Sequence, residues 1–508
     1  KPTPATKNYY MYLNISNNTF TYTQNENTPE LLLTITDVSG NAITSITGLT
    51  YKTVIDGKGT SVSGFDITTK SGLLTLFDNR EITASPTKTE EWNVTVTFVN
   101  YNVNQTGNAG KSFNAKLMIQ QEEYELTLAD ICAGKTLSDC VISQYTGTQG
   151  DNALYYHNST LTNGAGDNSY RYAGGDYVLT EAGKATGATM MIGYNNSVTT
   201  ALIDFYCNGT KQYVGYASSC STSHYYLIKG DTTQYQTYNE ALNASVEKGY
   251  LTKDNVKNFV CFGSDATTCP TENLYRIIGV FNNHVKLIKY DYAKSSLLGT
   301  DGDFSQEYTS NYFSGEQGES PSSNSLYYWN NAGTNTWSAS KLNTVNLNTN
   351  FTTNIGTAWA NKIATTTWKV GGGTYANLRD AVPKTAYQYE VGSSASTTTY
   401  DAKIGLMYVS DYYYSASPSA WTLVGYNSDY TKSYASAKGE NWLYGGGWDW
   451  TISRISDNSY NAFSVNYSGY VYSSNVYSYR GVRPSFSLLS STTYVSGSGS
   501  MSDPVRIN

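Results

Sequence analysis

The 508-residue sequence predicts a mainly β chain, with a β-sandwich at the N-terminal end and a larger α+β part after it. Three observations lead there. Short runs of alternating apolar and polar residues recur between residues 8 and about 122, separated by turn residues. A hairpin signature stands at 274–289. Charged residues make up 14% of the chain, well under the ~25% of an average soluble protein, while 48 tyrosines stand against 14 phenylalanines. The chain therefore takes its aromatic bulk mostly in a form that carries a hydroxyl. At roughly 100–200 residues per domain, its length exceeds one core.

The elements follow in order. Residues 1–7, opening Lys1-Pro2-Thr3-Pro4, read as an extended tether after a removed signal or anchor segment. Residues 8–122 hold the runs Tyr9–Ile15, Leu31–Ile35, Leu49–Ile55, Leu73–Leu76, Trp92–Val99 and Ala115–Gln120. Turn signals part them at Ser39-Gly40-Asn41, Asp56-Gly57, Ser71-Gly72 and Asn108-Ala109-Gly110. Such spacing predicts an immunoglobulin-like sandwich in architecture, without a Cys…Trp…Cys signature, acting as a spacer. Glu122-Glu123-Tyr124-Glu125 marks the boundary to a second part over 123–508. Within it, 174–257 read as an insertion, where Tyr238, Leu242 and Val246 at steps of four predict a helix stopped by Gly249. Leu274–Phe281 and His284–Lys289 flank Asn282-Asn283, and asparagine tolerates the positive φ of a two-residue turn. Helices are expected at Trp337–Val345 and Asn354–Thr365, and a strand at Lys403–Val409.

Composition narrows the function. A net charge of −7 without a basic run argues against nucleic acid and anionic membrane partners. No stretch approaches ~18 consecutive apolar residues, so no direct membrane insertion is expected. The cysteines form three close couples: Cys132 and Cys140, Cys207 and Cys220, Cys261 and Cys269. None has CxxC spacing, and three short-loop disulfides in an oxidising compartment are the natural reading, with free or buried thiols as the alternative. Six cysteines allow 15 connectivities, so pairing of neighbours is an expectation only. His157, His224 and His284 are scattered, and no HExxH, phosphate loop, dinucleotide fingerprint or GxSxG occurs. No cofactor is expected. Asp301-Gly302-Asp303 is only a fragment of a calcium loop. Carboxylates are plentiful, but none has a setting that singles out a catalytic pair.

The C-terminal residues carry a resemblance. Trp450-Thr451-Ile452-Ser453-Arg454, Asn461-Ala462-Phe463-Ser464-Val465, Ser468-Gly469-Tyr470-Val471 and Gly481-Val482-Arg483-Pro484-Ser485-Phe486 follow one another. This pattern resembles surface domains of gut Firmicutes related to the formylglycine-generating-enzyme variant of the C-type lectin fold. The likeness covers about 255–490 and extends upstream toward 126. It implies a compact α+β fold with a small twisted sheet and a ligand face built from the C-terminal strands and loops. It does not imply an enzyme: oxidases of that type hold copper with a cysteine pair near the C-terminus, and this chain has no cysteine after Cys269. Arg454 and Arg483 are structural in that pattern.

Fourteen tyrosines lie between Tyr408 and Tyr479, about twice the chain's average density. Between 460 and 479 the sequence narrows almost to Tyr, Ser and Asn around Val465, Val471 and Val476, with Val482 continuing the series. The valines are expected inward and the polar residues outward. Tyrosine offers a rigid amphipathic contact at low entropy cost, and Ser and Asn offer adaptable hydrogen bonds. The expected ligand face is Tyr444, Trp448, Asp449, Tyr460, Asn466, Tyr467, Tyr470, Tyr472, Ser474, Asn475, Tyr477, Tyr479 and Arg480. Trp442, Trp448 and Trp450, with Asn441 and Asp449, are a candidate glycan platform, their alternative being core packing. Tyr, Ser, Asp and Gly are all reachable from Asn codons by adenine substitution. Domains of the fold this pattern resembles are similar to the variable proteins diversified by retroelements, so a hypervariable face is a further expectation that the resemblance implies. The sequence thus points to an extracellular bacterial surface binding protein or adhesin for a protein or glycan ligand. The first alternative is a filament or layer subunit that self-assembles through the tyrosine face, and the second is a carbohydrate-active enzyme.

Overall fold

The computed structural model describes residues 7–82, 89–124, 126–192, 201–212, 220, 223–253, 255–308 and 324–508. Residues 1–6 of the expected tether lie outside the described residues, and Lys7 already begins a strand. The chain is mainly β, with several sheets, and divides into two compact units, 1–133 and 134–508.

Among the described residues the N-terminal unit has seven strands: β1 (Lys7–Asn18), β2 (Leu31–Asp37), β3 (Tyr51–Ile55), β4 (Ser61–Asp66), β5 (Gly72–Ile82), β6 (Trp92–Phe98) and β7 (Phe113–Gln120). They form two antiparallel sheets, β5-β1-β7 and β3-β4-β2-β6. One core draws on both sheets: Met11, Leu13 and Ile15 meet Leu31, Leu33, Ile35, Phe65 and Phe77. The sequence pattern did not announce β4, because Ser-Val-Ser-Gly-Phe-Asp carries too few apolar residues. Its Gly64 is needed: a Cβ there would lie 2.8 Å from the Leu33 carbonyl oxygen on the neighbouring strand. In β6 the alternation holds only in part. Trp92 and Val94 pack on the core, while Val96 and Phe98 are exposed on this edge strand.

The C-terminal unit is organised on a seven-stranded sheet. The Leu274–Phe281 and His284–Lys289 hairpin forms its centre, and the turn residues Asn282 and Asn283 take φ of 49° and 63° as the turn type demands. Outward from it, Tyr170–Tyr172 and Leu154–Tyr156 lie on one side, and Ser485–Ser487 and Ile404–Gly405 on the other. Phe259–Cys261 pairs with the start of the hairpin. Both hairpin strands are almost wholly buried, which is why they read as near-continuous apolar runs. Gly279 is a close-approach position: a Cβ would sit 2.2 Å from the Tyr170 carbonyl oxygen. Gly279→Ala is expected to push the Tyr170–Tyr172 strand away and cost about 1–3 kcal/mol, read as a lower urea midpoint with an unchanged slope.

The 174–257 segment builds its own sheet from Met190–Ile192, Ala201–Cys207, Thr210–Gln212 and His224–Ile228. The expected helix is present as Tyr238–Glu247, entered through a reciprocal Thr237–Glu240 cap, and buries Tyr238, Ala241 and Leu242 against that sheet. The Cys207–Cys220 and Cys261–Cys269 disulfides join sequence neighbours, and Cys132 and Cys140 are disulfide-bonded as well. No free cysteine is found. Among the described residues no helix is long and apolar enough to cross a membrane.

Two local expectations change. The Trp337–Val345 and Asn354–Thr365 helices are replaced by a short turn at Trp337–Ala339, a π-type segment over Leu342–Phe351, and helical turns at Thr352–Asn354 and Thr357–Ala360. Asparagines cause this: buried Asn343 and Asn346 and half-buried Asn348 donate to the carbonyls of Trp337, Leu298 and Ile404 and tie the segment to loops. The expected strand at Lys403–Val409 shrinks to Ile404–Gly405, and a helix begins at Val409. Asp411 accepts from the Tyr408 amide, and Glu390 accepts from the Val409 and Ser410 amides, so this helix start is capped twice.

Candidate ligand-binding face

The C-terminal strands Asp449–Arg454, Asn461–Val465 and Val471–Asn475 form an antiparallel sheet, and Tyr479–Arg480 pairs with Asn324–Tyr328 in another. Val465, Val471, Val476 and Val482 are all buried, as their spacing predicts. They anchor a frame from which the intervening side chains emerge.

The fourteen tyrosines fall into a buried group, an exposed group and the half-buried Tyr426, Tyr430, Tyr467 and Tyr470. Tyr408, Tyr412, Tyr413, Tyr414, Tyr434 and Tyr444 are buried. Their hydroxyls explain the choice of tyrosine over phenylalanine. Tyr412 donates to the Gly469 carbonyl, Tyr413 to Leu378, Tyr414 to Asn163 and Tyr434 to Tyr413. A loop-rich interior has many carbonyls outside any ladder, and a buried phenol supplies the missing donor. Burial pushes the Tyr413 and Tyr434 hydroxyls well above their ordinary range, so they stay neutral donors. By contrast, Tyr460, Tyr472, Tyr477 and Tyr479 are 40–52% exposed.

Four expected face residues are inside, which corrects the expectation that Tyr444, Asp449, Asn466 and Ser474 face a ligand. Tyr444 is buried and its hydroxyl donates to the Tyr467 carbonyl, pinning the turn that precedes Val471. Asn466 holds the same turn, its Oδ1 accepting from the Ser468 and Tyr470 amides at 3.0 Å each. Ser474 pairs with Ser464 at 3.0 Å. Asp449 is 1% exposed and receives the Arg483 Nε at 2.5 Å. Arg483 also donates to the Leu443 carbonyl, and Arg454 to the Gly371 carbonyl, which gives both arginines the structural work expected of them. The tryptophan platform is corrected too. Trp442 and Trp450 are buried, donating to the Tyr172 and Tyr327 carbonyls, Asn441 is buried beside Ser415, and only Trp448 reaches the surface. In the calcium-like fragment the Asp303 carboxylate is occupied by the Asn331 and Leu342 amides at 3.0 and 2.8 Å.

What remains outward is organised as a ladder. The Arg480 guanidinium lies 4.1 Å from the Trp448 ring, Trp448 meets Tyr472 edge-on at 5.9 Å, and Tyr472 meets Tyr426 at 6.1 Å. Arg379 then stacks between Tyr426 at 5.2 Å and Tyr375 at 4.4 Å. Tyr470 packs on Tyr426, and Tyr467 on Trp448, both half-buried. Exposed Tyr477 and Tyr479 and half-buried Asn475 adjoin this ladder in sequence, and Tyr460 precedes the middle strand. Rigid rings flanked by guanidinium planes can stack on flat or C–H-rich ligand surfaces and pair with carboxylates. Tyr375 and Arg379 carry no motif, and only the fold brings them to Tyr426.

No family model, no curated protein and no solved structure matches the chain.

Proposed function

We propose that the protein is an extracellular bacterial surface-binding protein or adhesin, without catalytic activity. Its N-terminal unit reads as an immunoglobulin-like spacer, and its C-terminal unit as a C-type-lectin-like domain of the formylglycine-generating-enzyme type. The observation that carries this reading is the part-exposed ring–guanidinium ladder from Arg480 through Trp448 and Tyr472 to Arg379, held on a buried valine frame. The disulfide-bonded cysteines agree with an oxidising compartment. The ligand is a protein or glycan on another cell, and capture on arrays of both kinds tests the binding.

The diversified form of this reading has its own test. Population sequencing of the gene is expected to show variation concentrated at codons 460, 472, 477 and 479, with codons 274–289 of the buried hairpin as control. Equal, low variation in both windows would remove it and leave a fixed face. A second reading, a self-assembling surface subunit, is favoured by Val96 and Phe98 on β6 and Leu117 and Ile119 on β7, apolar residues exposed on strands with an unpaired edge. Concentration-dependent assembly in sedimentation velocity would support it, and a stable monomer would exclude it.

A further inference from the structure

A second, separate site lies on the central sheet. Gly279 pairs with Arg171 on one side and with Lys286 on the other, and Lys286 pairs with Ser487. Directly opposed residues of an antiparallel sheet share a face. Arg171, Gly279, Lys286 and Ser487 thus form one row, with no side chain at its second position. With one strand between them, the backbones of Arg171 and Lys286 stand roughly 9–10 Å apart along the row. A cleft of about 270 Å³ opens over them. Both cations are buried, Arg171 2% and Lys286 6% exposed.

Each cation is held but not saturated. Arg171 donates Nε to Ser169 and Nη2 to Asp167, and lies over Phe281, Tyr387 and Tyr414 at 4.7–5.3 Å. Lys286 donates to Asp411 at 2.5 Å and lies 4.5 Å from the Tyr408 ring. An ammonium has three N–H donors and a guanidinium five, and among the described residues these bonds are the only ones the two groups make. Lys369 adds a third cation at the wall, against the two carboxylates Asp167 and Asp411. Asp167 and Asp411 each compensate one of the two sheet cations, while Lys369 donates to the Val391 carbonyl at 2.7 Å, so the lining carries one positive charge in excess that an anion would balance. The walls carry the Trp368 and Tyr387 rings, and Asn282, Thr366 and Thr367 add polar groups. The volume lies just under the ~300–1,000 Å³ of sites for drug-sized ligands, so the occupant is small.

We propose that this cleft binds a single acidic sugar residue, its carboxylate received by Lys286 and Arg171 and its ring set against the aromatic wall. The site shares no residue with the tyrosine face and does not depend on that face binding anything. The test is titration of the full chain with D-glucuronate by calorimetry, with D-glucose and acetate as controls. Glucuronate is expected to bind at least tenfold more tightly than either control. K286M/D411N removes the ion pair as a unit, leaves no lone buried charge, and is expected to weaken glucuronate at least tenfold. K369M, at the half-buried wall, is expected to weaken it several-fold and decides the matter should the double variant not fold. No glucuronate binding, equal binding of glucose or acetate, or binding untouched in the folded variants would each overturn the proposal.

Discussion

Replacing Asp449 by alanine is expected to destabilise the protein by about 3–5 kcal/mol, because it strands the buried Arg483 charge without its partner. The pair joins the strand Asp449–Arg454 to the segment after Gly481, and Arg483 extends the link to the Leu443 carbonyl. Burial pushes the Asp449 carboxyl up to about 6 while the guanidinium opposes the rise, so it is ionised at neutral pH. The D449L/R483M double variant is expected to recover most of the loss, since an apolar pair of similar size replaces buried charges at little cost. Urea denaturation of D449L, R483M and the double variant closes the cycle. A D449A protein that keeps its midpoint but loses ligand capture would return Asp449 to the binding face.

Trp448→Ala should produce the largest single loss of affinity on the face, at least about 2 kcal/mol or roughly thirtyfold in Kd. Trp448 contacts Arg480, Tyr467 and Tyr472 together, so its removal takes a ring contact from each of the three. Its inner side packs against Tyr292 and Leu326, which adds a loss of stability of about 1–3 kcal/mol. Trp448→Phe keeps an aromatic face and is expected to retain most of the stability and part of the affinity. Equal affinity in wild type and W448A would move the binding site off the ladder.

The readable parts of the fold share one physical property: a local rule agreed with the tertiary environment. Asn282-Asn283 needs positive φ wherever a two-residue hairpin closes, and Tyr238 and Leu242, four residues apart, are buried on one face of a helix. The valines at 465, 471, 476 and 482 are buried as the regularly spaced apolar positions of a stretch otherwise rich in Tyr, Ser and Asn. The tyrosines were not readable in this way. Tyr444 and Tyr472 are the same residue type in similar company, yet one pins a turn from inside and the other faces solvent. Only the position of the loop carbonyl at Tyr467 separates them. Asp449 looked loop-like between Trp448 and Trp450, and its partner Arg483 is 34 residues away. Arg379 and Tyr375 reach the face through the fold alone. The row through Gly279 was hidden for a related reason. Arg171 and Lys286 lie more than a hundred residues apart and share a face only because Gly279 pairs with both.

The central claim is that the exposed tyrosines bind a ligand and do not hold the fold. Tyr472→Ser, Tyr477→Ser and Tyr479→Ser, combined in one chain, test it most directly through paired measurements of thermal melting and capture on glycan and cell-surface protein arrays. All three side chains are 40–52% exposed. The expected result is a melting temperature within about 2–4 °C of wild type, the scale of a 1 kcal/mol change, with capture reduced to background. Unfolding of the variant, or capture at wild-type strength, would contradict the claim.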